Sequence, residues 1–295
     1  MARNSNRPAH VAFIGFGEAA AAFLSGWGTD RPEQVTAYDI KTDDVSTRQT
    51  LIDRFEQNNV SGEAGAPAAV TGASAVFSVV TADQAFAAAE AAAPALPKGV
   101  LWFDCNSCAP GTKRRAAEVI EAAGGRYVDV AVMAPVHPKK HHVPLLIAGP
   151  HTDAASAVLS ALDMKPTISG DTIGQASSIK MIRSIMIKGM EALTAECFLS
   201  ARRAGVEEQV LASLEASDSD IQWRKRGTYN LERMMVHGAR RSAEMREVAR
   251  TVDELGLGGR MATATADWQA LIAELDLDPG DADLFSRADR VLGKL

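Results

Sequence analysis

Two groups of residues in this 295-residue chain have the types and spacing to do chemistry. The first is Gly15-x-Gly17-x-x-Ala20, which directly follows the apolar run Val11 to Ile14 and directly precedes a small-residue segment with helical character. In that setting Gly15 permits a tight turn, Gly17 lets the backbone approach a pyrophosphate, and Ala20 keeps strand and helix close. The helix N-terminus then faces the phosphates. Phe16, Glu18 and Ala19 complete the expected cofactor turn. Asp39, about 20 residues further on at the end of a second apolar run, is placed to accept hydrogen bonds from an adenosine ribose, and its charge opposes a 2′-phosphate. NAD is therefore the expected cofactor, with NADP possible because Lys41 lies close by. Small residues after a strand also serve plain close packing. It is the register of strand, helix and Asp39 together that favours a nucleotide site.

The second group lies on the proline-free segment Gly174 to Gly205, whose apolar periodicity predicts one long helix. Ser177, Lys180, Ser184, Lys188 and Glu191 recur at three- or four-residue steps and share a face, while Met181, Ile182, Ile185 and Met186 fill the others. A helix lysine is ordinarily a snorkelling surface cation. A desolvated lysine near a second cation such as Arg183 can instead exchange protons, as general acid/base chemistry on an alcohol requires.

These residues need a scaffold, and the rest of the chain supplies one. Short apolar runs at Val35 to Tyr38, Ala75 to Val80, Val100 to Phe103, Tyr127 to Val132 and Pro144 to Ala148 alternate with helical stretches, which predicts a mostly parallel, doubly wound sheet. Ligands of such sheets bind at the carboxyl ends of the strands, so Thr81 and Ala82 are expected over the cofactor, with Asn106 and Ser107 one strand further on. Each could equally cap the helix that follows it. From Val206 onward only helical periodicity appears, with breaks expected at Gly227, Gly256 to Gly259 and Asp278-Pro-Gly280. The expected fold is α/β, a Rossmann-type doubly wound sheet over residues 1–172, joined by the long interdomain helix to an all-α domain at 173–295.

Composition narrows the field. Hydrophobic residues at 46% and charged residues at 23% describe a globular chain, and a formal charge of −6 leaves no general basic field for nucleic acid or anionic lipid. No apolar run reaches membrane-spanning length and the start lacks the apolar core of a signal peptide, so a cytoplasmic location is expected. Three cysteines do not make a disulfide framework. Cys105-x-x-Cys108 has no second pair to complete a zinc site. His137, His141 and His142, with Lys139 and Lys140, have no carboxylate spaced among them, and read as a cationic rim or a solvated loop. No metal is expected.

With these motifs in place, the chain resembles the β-hydroxyacid dehydrogenase superfamily, which includes 3-hydroxyisobutyrate and 6-phosphogluconate dehydrogenases. The resemblance covers nearly the whole length. In that family a catalytic lysine stands six positions after the glycine that opens the interdomain helix, and Gly174 and Lys180 keep that spacing. The family's Asp-x-Ser/Thr matches Asp104-Cys-Asn-Ser107, which implies that Ser107 lies beside the nicotinamide. Three departures stand out. Arg183 and Ser184 replace the family's asparagine, Met133-Ala134-Pro135 replaces Ser-Gly-Gly after Asp129-Val-Ala-Val132, and Ala243 replaces the lysine of a Lys-Asp motif whose acid corresponds to Glu244.

The resemblance implies hydride transfer between a nicotinamide and the CH–OH of a β-hydroxy acid or related compound, with Lys180 as general acid/base. Ser107, Met133, His137, Arg183, Ser184 and His237 are then candidates for substrate binding. It also implies a homodimer acting on a small, carboxylate-bearing molecule. An imine reductase or an oxidoisomerase on the same architecture, and a non-catalytic NAD sensor, are the competing readings.

Overall fold

The computed structural model describes residues 7–295, which divide into two compact units, one ending at Lys180 and the other spanning Met181–Leu295. In the first unit the strands are β1 (His10–Ile14), β2 (Gln34–Tyr38), β3 (Ser61–Gly62), β4 (Ala75–Ser78), β5 (Leu101–Asp104), β6 (Arg126–Val132), β7 (Pro144–Ala148) and β8 (Lys165–Gly170). Between them run α1 (Glu18–Trp27), α2 (Val45–Gln57), α3 (Ala66–Val70), α4 (Ala85–Ala92), α5 (Pro110–Ala122) and α6 (Thr152–Ala161). One sheet results, in the order β3-β2-β1-β4-β5-β6-β7-β8. All neighbours are parallel except β6 and β7, which pair antiparallel. Only a 3₁₀ turn, Lys140–His142, separates β6 from β7, and an antiparallel pair is what so short a connection permits. The two-residue β3 carries too little apolar pattern to be visible in the sequence.

Both faces of the sheet are covered, so its strands are apolar on both sides. Val11 and Phe13 point into one core layer with Phe16, Phe23, Trp27, Phe77 and Phe103, while Ala12 and Ile14 point into the other with Val76, Trp102 and Tyr127. Phe77 and Phe103, opposite each other in register, stack with centroids 4.8 Å apart. This packing holds the carboxyl ends of β1, β4 and β5 at one rigid edge. The chain reverses its direction of strand addition between β1 and β4, and that is where an open α/β sheet offers its crevice.

The long helix α7 (Gln175–Ala204) carries the boundary between the units within it. The second unit continues with α8 (Glu207–Ser217), α9 (Trp223–Glu254), α10 (Arg260–Glu274) and α11 (Leu284–Leu292). Its core is Phe198, Leu231, Met234, Ile272 and Leu284, with a smaller cluster of Met181, Met245, Val248 and Ala266. The expected break at Gly227 does not occur, because Gly227 lies inside α9 and the interruption falls just before that helix. A Cβ at Gly227 would sit 2.5 Å from the Phe198 ring, so close packing, not a turn, calls for glycine there. None of these helices is long and apolar enough to cross a membrane.

Candidate active site

The turn after β1 is built as its sequence predicts. Gly15 has φ +86° and donates its N–H to the Tyr38 carbonyl at 2.8 Å. A Cβ there would lie 2.8 Å from the Val79 carbonyl oxygen, whereas a Cβ at Gly17 would meet no protein atom within 4 Å. The first position is thus glycine because β4 crowds it. At the second there is open space in front of the N-terminus of α1, which starts at Glu18. Ala20 is fully buried and Ala19 packs against the same core. Asp39 closes the turn: one carboxylate oxygen accepts the Phe16 N–H at 2.8 Å and the other accepts the Lys41 N–H at 3.0 Å. Arg54 donates to the Phe16 carbonyl at 3.2 Å. A carboxylate anchored beside an open, glycine-lined helix N-terminus fits a dinucleotide.

Next along the sheet edge, Thr81 is exposed and Ala82 half-buried at the start of a short 3₁₀ turn. Asn106 is buried. Its amide donates to the Ser78 hydroxyl at 2.9 Å and to Asp104 Oδ1 at 2.7 Å, which ties the end of β5 to the end of β4. Its own carbonyl oxygen is buried without a hydrogen-bond partner. Such an acceptor costs free energy unless a ligand satisfies it, which again suits a cofactor at this edge. Ser107 follows, and its hydroxyl receives the ammonium of Lys180 at 2.5 Å. Two residues far apart in sequence, expected on separate grounds to take part in chemistry, therefore meet.

Beside that pair lies a buried polar network that the sequence reading missed. Asp129, fully buried in β6, accepts the Gly174 N–H at 3.1 Å, the Ser177 N–H at 3.0 Å and the Ser177 hydroxyl at 3.1 Å. It caps the first turn of α7 from a neighbouring strand, satisfying amides that a helix start leaves unpaired. Asp104 accepts the Asn106 N–H at 3.0 Å and the Tyr127 hydroxyl at 2.6 Å. Lys113 of α5 lies between the two acids. The available signal was an acid inside the apolar run of β6 and another ending β5, since two buried acids on adjacent strands demand a cation.

The remaining candidates are distributed as follows. Met133 follows β6, donates its N–H to the Pro144 carbonyl at 2.9 Å, and packs with Ala131, Ala148 and Ala176. His137 is exposed. In the second unit, Arg183 is exposed, His237 is half-buried on α9, and Ser184 is buried and accepts from Lys188 at 3.2 Å. Lys188 also pairs with Glu244 at 2.9 Å, which places a cation beside that acid although Ala243 offers none. Buried Glu191 receives Arg241 at 2.8 and 2.9 Å and Gln269 at 2.8 Å. Burial nevertheless raises the Glu191 carboxyl above its ordinary range, with Arg241 opposing the shift.

Two further clusters remain. Cys105 and Cys108 are buried and form no disulfide, and burial pushes Cys105 up to about 12, far from the reactive thiolate a redox pair needs. His141 and His142 do find a carboxylate, Asp163, which the spacing within their own segment had not offered. His142 Nε2 stands 2.8 Å from it and His141 Nε2 3.7 Å. The other Asp163 oxygen is held by Lys165 at 2.7 Å, and the ligand-type atoms of His141, His142 and Asp163 lie within 4.8 Å of one another, a spacing that could hold a metal ion.

Comparison with known proteins agrees with this geometry. Residues 10–165 match the NAD binding domain of 6-phosphogluconate dehydrogenase, and residues 201–272 match a domain of unknown function, DUF1932. A conserved hypothetical protein from Sinorhizobium meliloti is 36% identical, with a TM-score of 0.77 over 97% of this chain and 96% of that one. A conserved protein of unknown function with structural similarity to 3-hydroxyacid dehydrogenases is 29% identical, with a TM-score of 0.69 over 90% and 98% of the two chains. The 3-hydroxyisobutyrate dehydrogenase of Mycobacterium tuberculosis shares the fold at 17% identity, with a TM-score of 0.71 over 95% and 97%. An uncharacterised 28.5 kDa protein of Methanothermus fervidus is 25% identical over 40% of this chain, and the match spans 45% of that relative's length.

Proposed function

Because the chain belongs to the family of the NAD binding domain of 6-phosphogluconate dehydrogenase, we propose that it is an NAD(P)-dependent oxidoreductase acting on the CH–OH group of a β-hydroxy acid or related hydroxy compound. The observation that carries this reading is the hydrogen bond between Lys180 and Ser107, at the sheet edge that also bears the Gly15 turn and the unpaired carbonyl of Asn106. A bound nicotinamide supplies the acceptor or donor of the hydride. The chain's own task is the proton. In oxidation the Lys180 amine takes the hydroxyl proton of the substrate as the C–H bond is lost to hydride transfer, and in reduction its ammonium returns that proton to the new alkoxide. Ser107, as an acceptor, holds the ammonium in place between turnovers, and its hydroxyl can rotate to donate when the amine is neutral. The test of this role is Lys180→Ala.

The Asp39 carboxylate supports NAD as the preferred form of the cofactor, because a 2′-phosphate would approach an anchored negative charge. NADH is expected to bind at least ~10-fold more tightly than NADPH, and Asp39→Ala to narrow that gap. Tighter binding of NADPH by the unaltered protein, in a fluorescence titration, would reverse the assignment.

A homodimer is part of the same proposal. On α7 the side chains of Ile182, Met186 and Leu193 are 47%, 68% and 58% exposed at helical spacing, an apolar stripe of the kind a second copy covers. Light scattering at micromolar concentration is expected to give twice the mass of one chain, and a monomer there would remove this element.

A further inference from the structure

Lys113 is the most completely enclosed cation among the described residues, with no exposure at all. It reaches four oxygens: the Asp104 carbonyl at 2.5 Å, Asp104 Oδ1 at 3.0 Å, the Val130 carbonyl at 3.4 Å and Asp129 Oδ1 at 3.5 Å. Burial by itself lowers the pKa of such a lysine, but Asp104 and Asp129 together raise it above the ordinary value, so the group stays charged. Asp129 Oδ1 has no hydrogen-bond donor, which leaves the Lys113 charge as its compensation.

The two acids each lead to one member of the Lys180–Ser107 pair. Asp104 holds the backbone and side chain of Asn106, the residue immediately before Ser107. Asp129 holds Gly174 and Ser177 in the first turn of α7, one helical turn before Lys180. We infer that Lys113 is a positioning residue: its buried ammonium locks Asp104 and Asp129 to each other, and through them fixes where Ser107 and Lys180 stand relative to one another. Nothing in this role requires Lys113 to touch substrate. It acts as the common anchor of two helix-and-strand termini that otherwise belong to separate elements. Pre-organisation of this kind matters because small displacements of a reacting group carry large rate penalties.

The inference rests on the proposed role of Lys180, but it can be tested without turnover. Acetic anhydride labels free amines, and mass spectrometry reads the rate at each lysine. The plateau of the pH–rate profile, where protonation no longer limits the reaction, reports how firmly Lys180 is held. Lys113→Met and the milder Ser177→Ala are each expected to raise the plateau rate at Lys180 by ~3- to 10-fold, the effect of releasing one hydrogen bond. Labelling of exposed Lys98 and the affinity for NADH should stay within about a factor of 2, well inside the effect of one hydrogen bond. If Lys113→Met does not fold, as read by a thermal melt, Lys113→Gln takes its place, and Ser177→Ala reports the Asp129 end of the link. An unchanged Lys180 rate in a variant that binds NADH normally overturns the inference. So does a rise at Lys180 that comes only with loss of NADH affinity, since that marks general loosening. Turnover of Lys180→Ala is a separate measurement, so the reaction assignment and the positioning role can fail independently.

Discussion

Replacing Lys180 with alanine is expected to lower turnover by ~10²–10⁴ while leaving NADH affinity nearly unchanged. Position decides both outcomes. The Lys180 ammonium meets Ser107 at the carboxyl edge of the sheet, and Asp129 caps the first turn of the helix that carries it. The cofactor turn, by contrast, is made from β1, α1 and Asp39, none of which needs the lysine. Removing a proton-transfer group that acts on the transition state should lower kcat and kcat/KM together, whereas removing a binding contact would raise KM alone. Lys180→Arg separates charge from chemistry, since a guanidinium keeps the positive charge but does not release a proton at working pH. It is expected to be as impaired as the alanine variant. A variant with full turnover would end the assignment of Lys180 and leave the protein a dinucleotide binder without an identified acid/base.

The second large effect is predicted for the two glycines of the turn, which should fail in opposite ways. Gly15→Ala places a Cβ 2.8 Å from the Val79 carbonyl oxygen and 2.9 Å from a Val80 methyl, at a φ of +86°. The Val79 carbonyl cannot easily withdraw. Val79 donates its N–H to Ile14 at 2.8 Å, and Gly15 is itself bonded to Tyr38. Left-handed backbone strain and overpacking together should cost roughly 2–5 kcal/mol, so a thermal melt should show clear destabilisation, with cofactor binding lost alongside.

Gly17→Ala adds a methyl where no protein atom lies within 4 Å, at φ −88°, a conformation any residue adopts. The free protein should therefore melt at or slightly above the wild-type temperature, since alanine restricts the unfolded chain. NADH affinity should nonetheless fall ~10-fold or more, because the methyl occupies the space in which a pyrophosphate approaches the helix N-terminus. If Gly17→Ala bound NADH normally, the phosphates would have to sit elsewhere.

Much of this was legible in the chain itself, for identifiable reasons. β1, β4 and β5 are almost wholly apolar because both sheet faces are covered, and runs of that kind stand out against alanine-rich helices. The glycine turn, Asp39, Ser107 and Lys180 could be singled out because the roles proposed for them depend on position relative to strand ends and a helix start, which sequence spacing records. Gly227 misled because a glycine required by an adjacent ring looks the same in sequence as one that stops a helix. The Lys113 network escaped because its members come from α5, β5 and β6, and only the fold brings them together. Likewise, Asp163 could not be assigned to His142, because β7 and α6 lie between them in the chain. Local chemistry is written in spacing, whereas buried charge compensation emerges from topology.

The most direct test of the central claim is a screen for NADH formation by the purified protein with NAD across β-hydroxy acids, sugar acids and aryl-substituted hydroxy compounds, run in parallel with Lys180→Ala. The account predicts that at least one hydroxy compound is oxidised by the wild-type protein, and that its oxidation falls to a small residue in the variant. A protein that binds NADH but oxidises none of them, or one whose activity survives the loss of Lys180, would contradict it.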